Sequence, residues 1–158
     1  MKNNAKKLVE ILEKEELTIG SVESFTGGLF GKEITDVDGA SNVYKGGLIV
    51  YSNELKEKLL GIKKELIEEN GAVSWPVAQA MAINGLDVLG VDICVSFTGN
   101  AGPSTCDDKE ELGVCYMGIA FNGQIWSIPL RLSDLDREQI REVCTDAIIN
   151  AVSSILAK

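Results

Sequence analysis

The sequence predicts an α/β fold: a three-layer α/β/α sandwich built on a mixed, mostly parallel five-stranded sheet. Three observations carry this prediction. Five short runs rich in β-branched and apolar residues alternate with about six segments of helical spacing, the order that lays helices on both faces of a sheet. Asn122-Gly123 is a strong two-residue hairpin signal inside an alternating stretch, so at least one strand pair is antiparallel. A chain of 158 residues with 45% hydrophobic content fits one domain, 1–158, around one core.

The elements follow in chain order. Ala5, Leu8, Ile11 and Leu12 repeat at helical intervals, which predicts a helix over 3–15. "LTIGSV" reads as a short strand, and from Thr26 onward Leu29, Phe30, Ile34 and Val37 predict a second helix at once. "DVDGASN" is turn chemistry, and "GGLIVYS" at 46–52 is a buried-strand run. Asn53 can cap the helix "ELKEKLL", which Gly61 ends, and "KKELIEEN" makes another helix before Gly71. Ser74, with Pro76 in the first turn, starts a helix that runs to about Gly90. "DICVSF" at 92–97 is a third strand opening into "TGNAGPSTCDDKEE", and the hairpin spans 113–131. A last helix, begun at Ser133, puts Ile140, Val143, Cys144, Ala147, Ile148, Ala151, Val152, Ile155 and Leu156 on its apolar side. In such sheets ligands gather beyond the carboxyl ends of the strands. The turns there are "ESFTGG", "YSNELK" and "TGNAGP".

Charge and composition exclude several functions. The net charge is −9, from 24 acidic and 15 basic residues, which argues against a nucleic-acid partner. No apolar run approaches the ~18–20 residues of a membrane span, and "MKNNAKKLVEILEKEE" has no apolar signal core. The expectation is a cytoplasmic protein without a membrane partner. Cys94, Cys106, Cys115 and Cys144 form no CxxC pair and are expected to be reduced, with Cys94 and Cys115 in the core and Cys106 in an exposed loop. There is no histidine. That removes Ser-His and Cys-His catalysis and the commonest metal ligand, so no metal and no cofactor are expected. A general base must be a lysine, a tyrosine or a carboxylate.

The candidate residues carry two readings each at this stage. "TGGLFGKE" fails the phosphate-loop pattern GxxxxGK[ST], because Thr26 and Glu33 stand at its first and last positions. The N–H groups of Thr26, Gly27 and Gly28 can hold an anion or a developing oxyanion. Ser24 is an exposed nucleophile on a strand-to-helix elbow, or it and Thr26 merely cap the helix. Lys56 acts as a base if burial or a cation lowers its proton affinity, or it is a solvated helix lysine. Tyr51 is a proton carrier or a core residue with a tethered hydroxyl. Thr98 and Gly99 open a ligand loop or a structural turn. Arg131, Arg137 and Arg141 offer planar cations, though Arg137 and Arg141 also suit helix-surface pairing with Glu138 and Glu142.

"ESFTGG" (23–28), "GASNVYKGGLIVYSNELK" (39–56), "LLG" (59–61), "GAVS" (71–74) and "SFTGNAGP" (96–103) stand in one order and spacing. Together they resemble the CinA C-terminal-domain family, in its stand-alone form, whose active members are nicotinamide mononucleotide amidohydrolases of pyridine-nucleotide salvage. The resemblance implies hydrolysis of the mononucleotide carboxamide to the acid and ammonia, without a metal. It implies Ser24 as nucleophile, with Tyr51 and Lys56 assisting proton transfer. It implies substrate contacts from Thr26, Gly27, Gly28, Thr98, Gly99 and Arg137, a small-molecule partner, and a homo-oligomer. Departures from the pattern are Phe25 where the family has cysteine, Asn100 where it has an apolar residue, and "STCDDKEELGV" after Pro103. Four of the five residues 107–111 are acidic, and beside the site they would oppose a phosphorylated substrate.

Overall fold

A computed structural model describes residues 1–104 and 111–157. Helix α1 (Lys2–Glu15) precedes β1 (Ile19–Glu23), α2 (Leu29–Thr35), a 3-10 turn (Ala40–Asn42) and β2 (Tyr44–Ile49). Then come α3 (Asn53–Leu60), α4 (Lys64–Asn70), α5 (Trp75–Leu89), β3 (Ile93–Gly99), β4 (Val114–Phe121), β5 (Gln124–Arg131) and α6 (Arg137–Leu156). The strand order is β2-β1-β3-β4-β5; β2, β1 and β3 are parallel, and β4 and β5 are antiparallel. This is the predicted α/β class. No helix among the described residues is long and apolar enough to cross a membrane.

Each sheet face is covered, so the central strands are buried on both sides, as parallel strands require. On one face Leu8 and Leu12 of α1, Phe30 and Ile34 of α2, and Ile140, Cys144 and Ile148 of α6 pack on Ile19, Val95, Phe97 and Met117. On the other, Val77 and Met81 of α5 with Leu60 and Ile67 pack on Val22 and Cys94. Period-two alternation along β1 therefore sends Glu23 toward α2 and Ser24 toward α3 and α4. Helix α5 approaches the sheet closely at Gly118, where a Cβ would lie 2.8 Å from Ser96 Oγ and 3.2 Å from the Ala78 carbonyl.

Several boundaries differ from the sequence reading. Helix α2 begins at Leu29 rather than Thr26, because Gly27 and Gly28 have φ of 61° and 101° and form a turn. Ser52, not Asn53, caps α3, accepting from Leu55 N at 3.1 Å. Helix α6 starts at Arg137 and is capped by Asp136, three residues after Ser133: Gln139 N donates to Asp136 Oδ1 at 2.8 Å, and Gln139 Oε1 accepts from Asp136 N at 3.0 Å. The Ser74 cap with Pro76, and the hairpin at Asn122-Gly123 with φ of 51° and 73°, lie where the sequence put them.

Candidate active site

The parallel strands end in register, and that alignment builds the site. Glu23 lies opposite both Ile49 and Phe97. Two more hydrogen bonds carry the ladder one step further, Ser24 N to Phe97 O at 3.0 Å and Val50 N to Glu23 O at 2.8 Å. Ser24, Val50 and Thr98 thus emerge side by side. Lys56 is the fourth residue of α3, whose side chains tilt back toward the helix start. Its ammonium group consequently returns to the strand ends. Nζ lies 2.9 Å from the Val50 carbonyl, 3.2 Å from the Tyr51 carbonyl and 3.1 Å from Ser24 Oγ.

Lys56 is 1% exposed and Ser24 7%. A lysine so buried is an unusual feature, since desolvation penalises its charged form. The reading of a solvated helix lysine is excluded. Ser24 is likewise no helix cap, since α2 begins five residues later and its N-cap position is Gly28. Both groups line a cavity of about 670 Å³, together with Phe25, Tyr51, Thr98, Gly99 and Arg137, and with the apolar Ile67, Ala72 and Val73.

Other predicted residues take different places. Tyr51 is 62% exposed, so it is no core residue. Its hydroxyl accepts from Arg137 Nη2 at 3.2 Å, and among the described residues it bonds to neither Ser24 nor Lys56. Arg137 Nη1 donates to the Gly102 carbonyl at 2.7 Å, so Arg137 spans the loops after β2 and β3. Thr98 faces the cavity, but its hydroxyl donates to Ala72 O at 2.7 Å. Gly99 is a close-approach position: a Cβ there would meet Cys115 Sγ at 2.7 Å and Phe25 Cε1 at 2.9 Å.

Thr26, Gly27 and Gly28 do not line the cavity. Thr26 is fully buried with its hydroxyl on Glu23 Oε1 at 2.8 Å, and Gly27 N donates to Ser24 O at 3.1 Å. Among the described residues the Phe25 and Thr26 amides, which directly follow Ser24, have no acceptor. Phe25 itself is 5% exposed and packs with Phe97 and Cys115 in the α6-side core, so it does not fill the cavity. Of the acidic run, Glu111 pairs with Arg131 at 2.6 Å; residues 107–110, and Cys106, lie outside the described residues.

Glu23 is the residue that sequence reasoning left without a role. It is 2% exposed and accepts four hydrogen bonds: from Ser21 Oγ at 3.0 Å, Thr26 Oγ1 at 2.8 Å, Phe30 N at 3.1 Å and Gly31 N at 3.2 Å. A glutamate at the end of the otherwise apolar run "IGSV" was the available signal. Arg141 adds a second clamp, donating Nη2 to the Thr26 carbonyl at 2.9 Å rather than pairing with Glu138 or Glu142. Near this clamp burial raises the Tyr44 phenol above its ordinary value, against a hydrogen bond with Ser21 that lowers it. Behind Gly99, a hydrogen bond from Cys144 lowers the Cys115 thiol, and the Cys144 thiol is raised by the same bond and by burial.

The family described as CinA C-terminal domain matches residues 1–156. A competence-damage inducible protein of Bacillus cereus strain G9842 is 43% identical over 140 residues, which cover 88% of this chain and 34% of that protein. One of Thermoanaerobacter sp. strain X514 is 40% identical over 148 residues, covering 94% and 35%. The chain thus spans about a third of the length of the curated relatives it matches. The crystal structure of a competence/damage inducible protein from Agrobacterium tumefaciens superposes with a TM-score of 0.93 at 27% identity, covering 99% of this chain and 95% of that one. One from Enterobacter asburiae gives 0.94 at 26%, covering 98% and 97%. This chain belongs to the CinA C-terminal domain family.

Proposed function

We propose that the protein is a serine amidase that hydrolyses the carboxamide of nicotinamide mononucleotide to the carboxylate and ammonia. The observation that carries this reading is the buried contact of Lys56 Nζ with Ser24 Oγ, 3.1 Å apart at the floor of the cavity. A neutral amine has two N–H donors and one lone pair. In the structure Nζ donates to Ser24 Oγ and to the Val50 and Tyr51 carbonyls; in the neutral form that the reaction requires, Nζ accepts from the Ser24 hydroxyl instead. A lysine base acts through its neutral form.

The steps follow from that geometry. Lys56 removes the Ser24 proton as Oγ attacks the carboxamide carbon. The oxyanion gathers at the Phe25 and Thr26 amides. Lys56 returns the proton to the leaving nitrogen, ammonia departs, and an ester to Ser24 remains. Water, deprotonated by Lys56, attacks that ester; the acid leaves, and the proton goes back to Ser24. Neither a metal nor a histidine enters.

The test is ammonia release from the mononucleotide, its riboside and nicotinamide. Turnover of the mononucleotide, reduced at least 1,000-fold in Ser24→Ala and in Lys56→Ala, is the expected result, since each substitution removes a reacting group (roughly 10²–10⁴ for a general base alone). Undiminished release by Ser24→Ala overturns the scheme. Turnover of a non-phosphorylated amide alone moves the substrate class.

A further inference from the structure

Thr26 is held at two of the three groups that leave its Cα. Its hydroxyl donates to Glu23 Oε1 at 2.8 Å. Its carbonyl accepts from Arg141 Nη2 at 2.9 Å and from Leu29 N at 3.1 Å, which fills both lone pairs. The third group is the amide, and with the side chain and the carbonyl fixed its direction is fixed as well. That amide is one of the two that follow Ser24 without an acceptor among the described residues.

The turn does not supply this rigidity by itself. Gly27 N donates to Ser24 O at 3.1 Å, which makes Phe25 and Thr26 the central residues of a β-turn. The common turn types differ by rotation of the peptide between those residues, and that rotation exchanges the Thr26 N–H for the Phe25 carbonyl. Arg141 acts from outside, from the second turn of α6, and does not line the cavity. Its approach is close: Gly27 has φ of 61°, and a Cβ there would lie 3.1 Å from Nη2. Arg141 Nε is buried with no partner among the described residues, so part of the guanidinium is desolvated for this contact. The charge matters too. Glu23, 2% exposed, puts a carboxylate one residue before the nucleophile, and the four groups bonded to it are neutral. Negative charge developing at the substrate oxygen is repelled by that carboxylate and attracted by Arg141.

We propose that Arg141 is a positioning residue of the turn that carries the nucleophile: its bond to the Thr26 carbonyl holds the Thr26 amide toward the reacting oxygen, and its charge offsets that of Glu23. This rests on the amidase reading above and adds to it a residue that acts through Thr26 without touching substrate. The effect belongs to the transition state, because the substrate carbonyl carries little charge before Ser24 attacks.

Arg141→Ala, Arg141→Lys and added guanidinium decide the matter. In Arg141→Ala, kcat for the mononucleotide is expected to fall about 100-fold with KM within about two-fold, the signature of an interaction made only in the transition state. Millimolar guanidinium chloride is expected to recover about ten-fold of that loss and methylammonium chloride none, since the space left has the shape of a planar cation. Arg141→Lys keeps the charge and a donor, and is expected to lose about ten-fold in kcat at unchanged KM. The second readout is the rate at which a fluorophosphonate phosphonylates Ser24, followed by intact mass, which needs no carboxamide. The same fall and the same rescue are expected there. A kcat within two-fold in Arg141→Ala overturns the proposal, and so does a raised KM at unchanged kcat, which makes Arg141 a substrate contact. A loss that guanidinium leaves unrestored makes Arg141 a prop of the fold alone and overturns it as well. If Arg141→Ala does not fold, Arg141→Lys carries the test, and undiminished kcat there is the overturning result. If no carboxamide is hydrolysed, the amidase reading fails while phosphonylation still decides for Arg141: equal rates with and without the arginine, or no labelling of Ser24 in the unsubstituted protein, overturn the proposal.

Discussion

Glu23 and Ser24 are chain neighbours that face opposite sides of the sheet, and each defines what the other can do. The Glu23 carboxylate has four lone-pair sites in all, and four donors occupy them. Two of those donors are α2 amides and one is the Thr26 hydroxyl, so the acid holds both ends of the turn that follows the nucleophile. Replacing it with glutamine keeps the shape but leaves one oxygen facing four donors and aims an NH2 group at two of them. Each buried donor left unpaired costs roughly 1–3 kcal/mol. Glu23→Gln is therefore expected to lower unfolding stability by about 2–4 kcal/mol, read as a fall in the urea midpoint at constant slope. A midpoint within experimental error of the unsubstituted protein would show that the clamp contributes nothing. Ser24→Ala, which touches only the cavity side, is expected to shift the same midpoint by less than about 1 kcal/mol.

At the scale of elements, the end of β3 sets how much room the cavity has. Gly99 lies against Cys115 of β4 and the ring of Phe25, with no space for a methyl group. An alanine there forces Cys115 or the Phe25 ring to give way, and Phe25 directly follows Ser24 in the chain. Overpacking of this kind costs roughly 1–3 kcal/mol. Gly99→Ala is expected to lose that stability together with most of the ammonia release, and the added Phe25→Leu exchange to restore part of both. Full activity in Gly99→Ala would show that Phe25 yields away from the site. The sequence made most elements legible where a local rule decides them: Ser74-Trp75-Pro76 for the start of α5, Asn122-Gly123 for the hairpin, the apolar spacing for α6. It misplaced the starts of α2 and α6. At α2 two positive-φ glycines outweigh the apolar spacing, and at α6 the Asp136–Gln139 exchange outcompetes Ser133. Both depend on conformations that periodicity does not report.

For the whole molecule, what the sequence could not supply was distance. Ser24 and Lys56 are 32 residues apart, and parallel pairing of β1 with β2 brings them to one hydrogen bond. The zero histidine count, which forces the base onto another residue type, was legible, and so was the pair of motifs. The direction of the Tyr51 phenol, the full acceptor load of Glu23 and the sealing of Phe25 into the core were not. Each depends on which face of the sheet a side chain takes after the strand has ended. The packing that buries these groups also fixes how the fold responds to alkali. Cys94 lies under α5, where burial pushes its thiol up to about 12 from an ordinary 9.0. In the unfolded chain the thiol ionises from pH 9 upward, while in the folded chain it stays neutral until about 12. The folded state therefore holds more protons across that window, and stability falls as pH rises through it, at about 1.4 kcal/mol per pH unit for one thiol. Below pH 9 the stability it confers is fully present. Other groups titrate in the same range, so the decisive quantity is a difference: between pH 9 and 11 the urea-derived stability of Cys94→Ala should fall less steeply than that of the unsubstituted protein by about that amount. Parallel slopes would mean that the buried thiol ionises in the folded state as easily as in water.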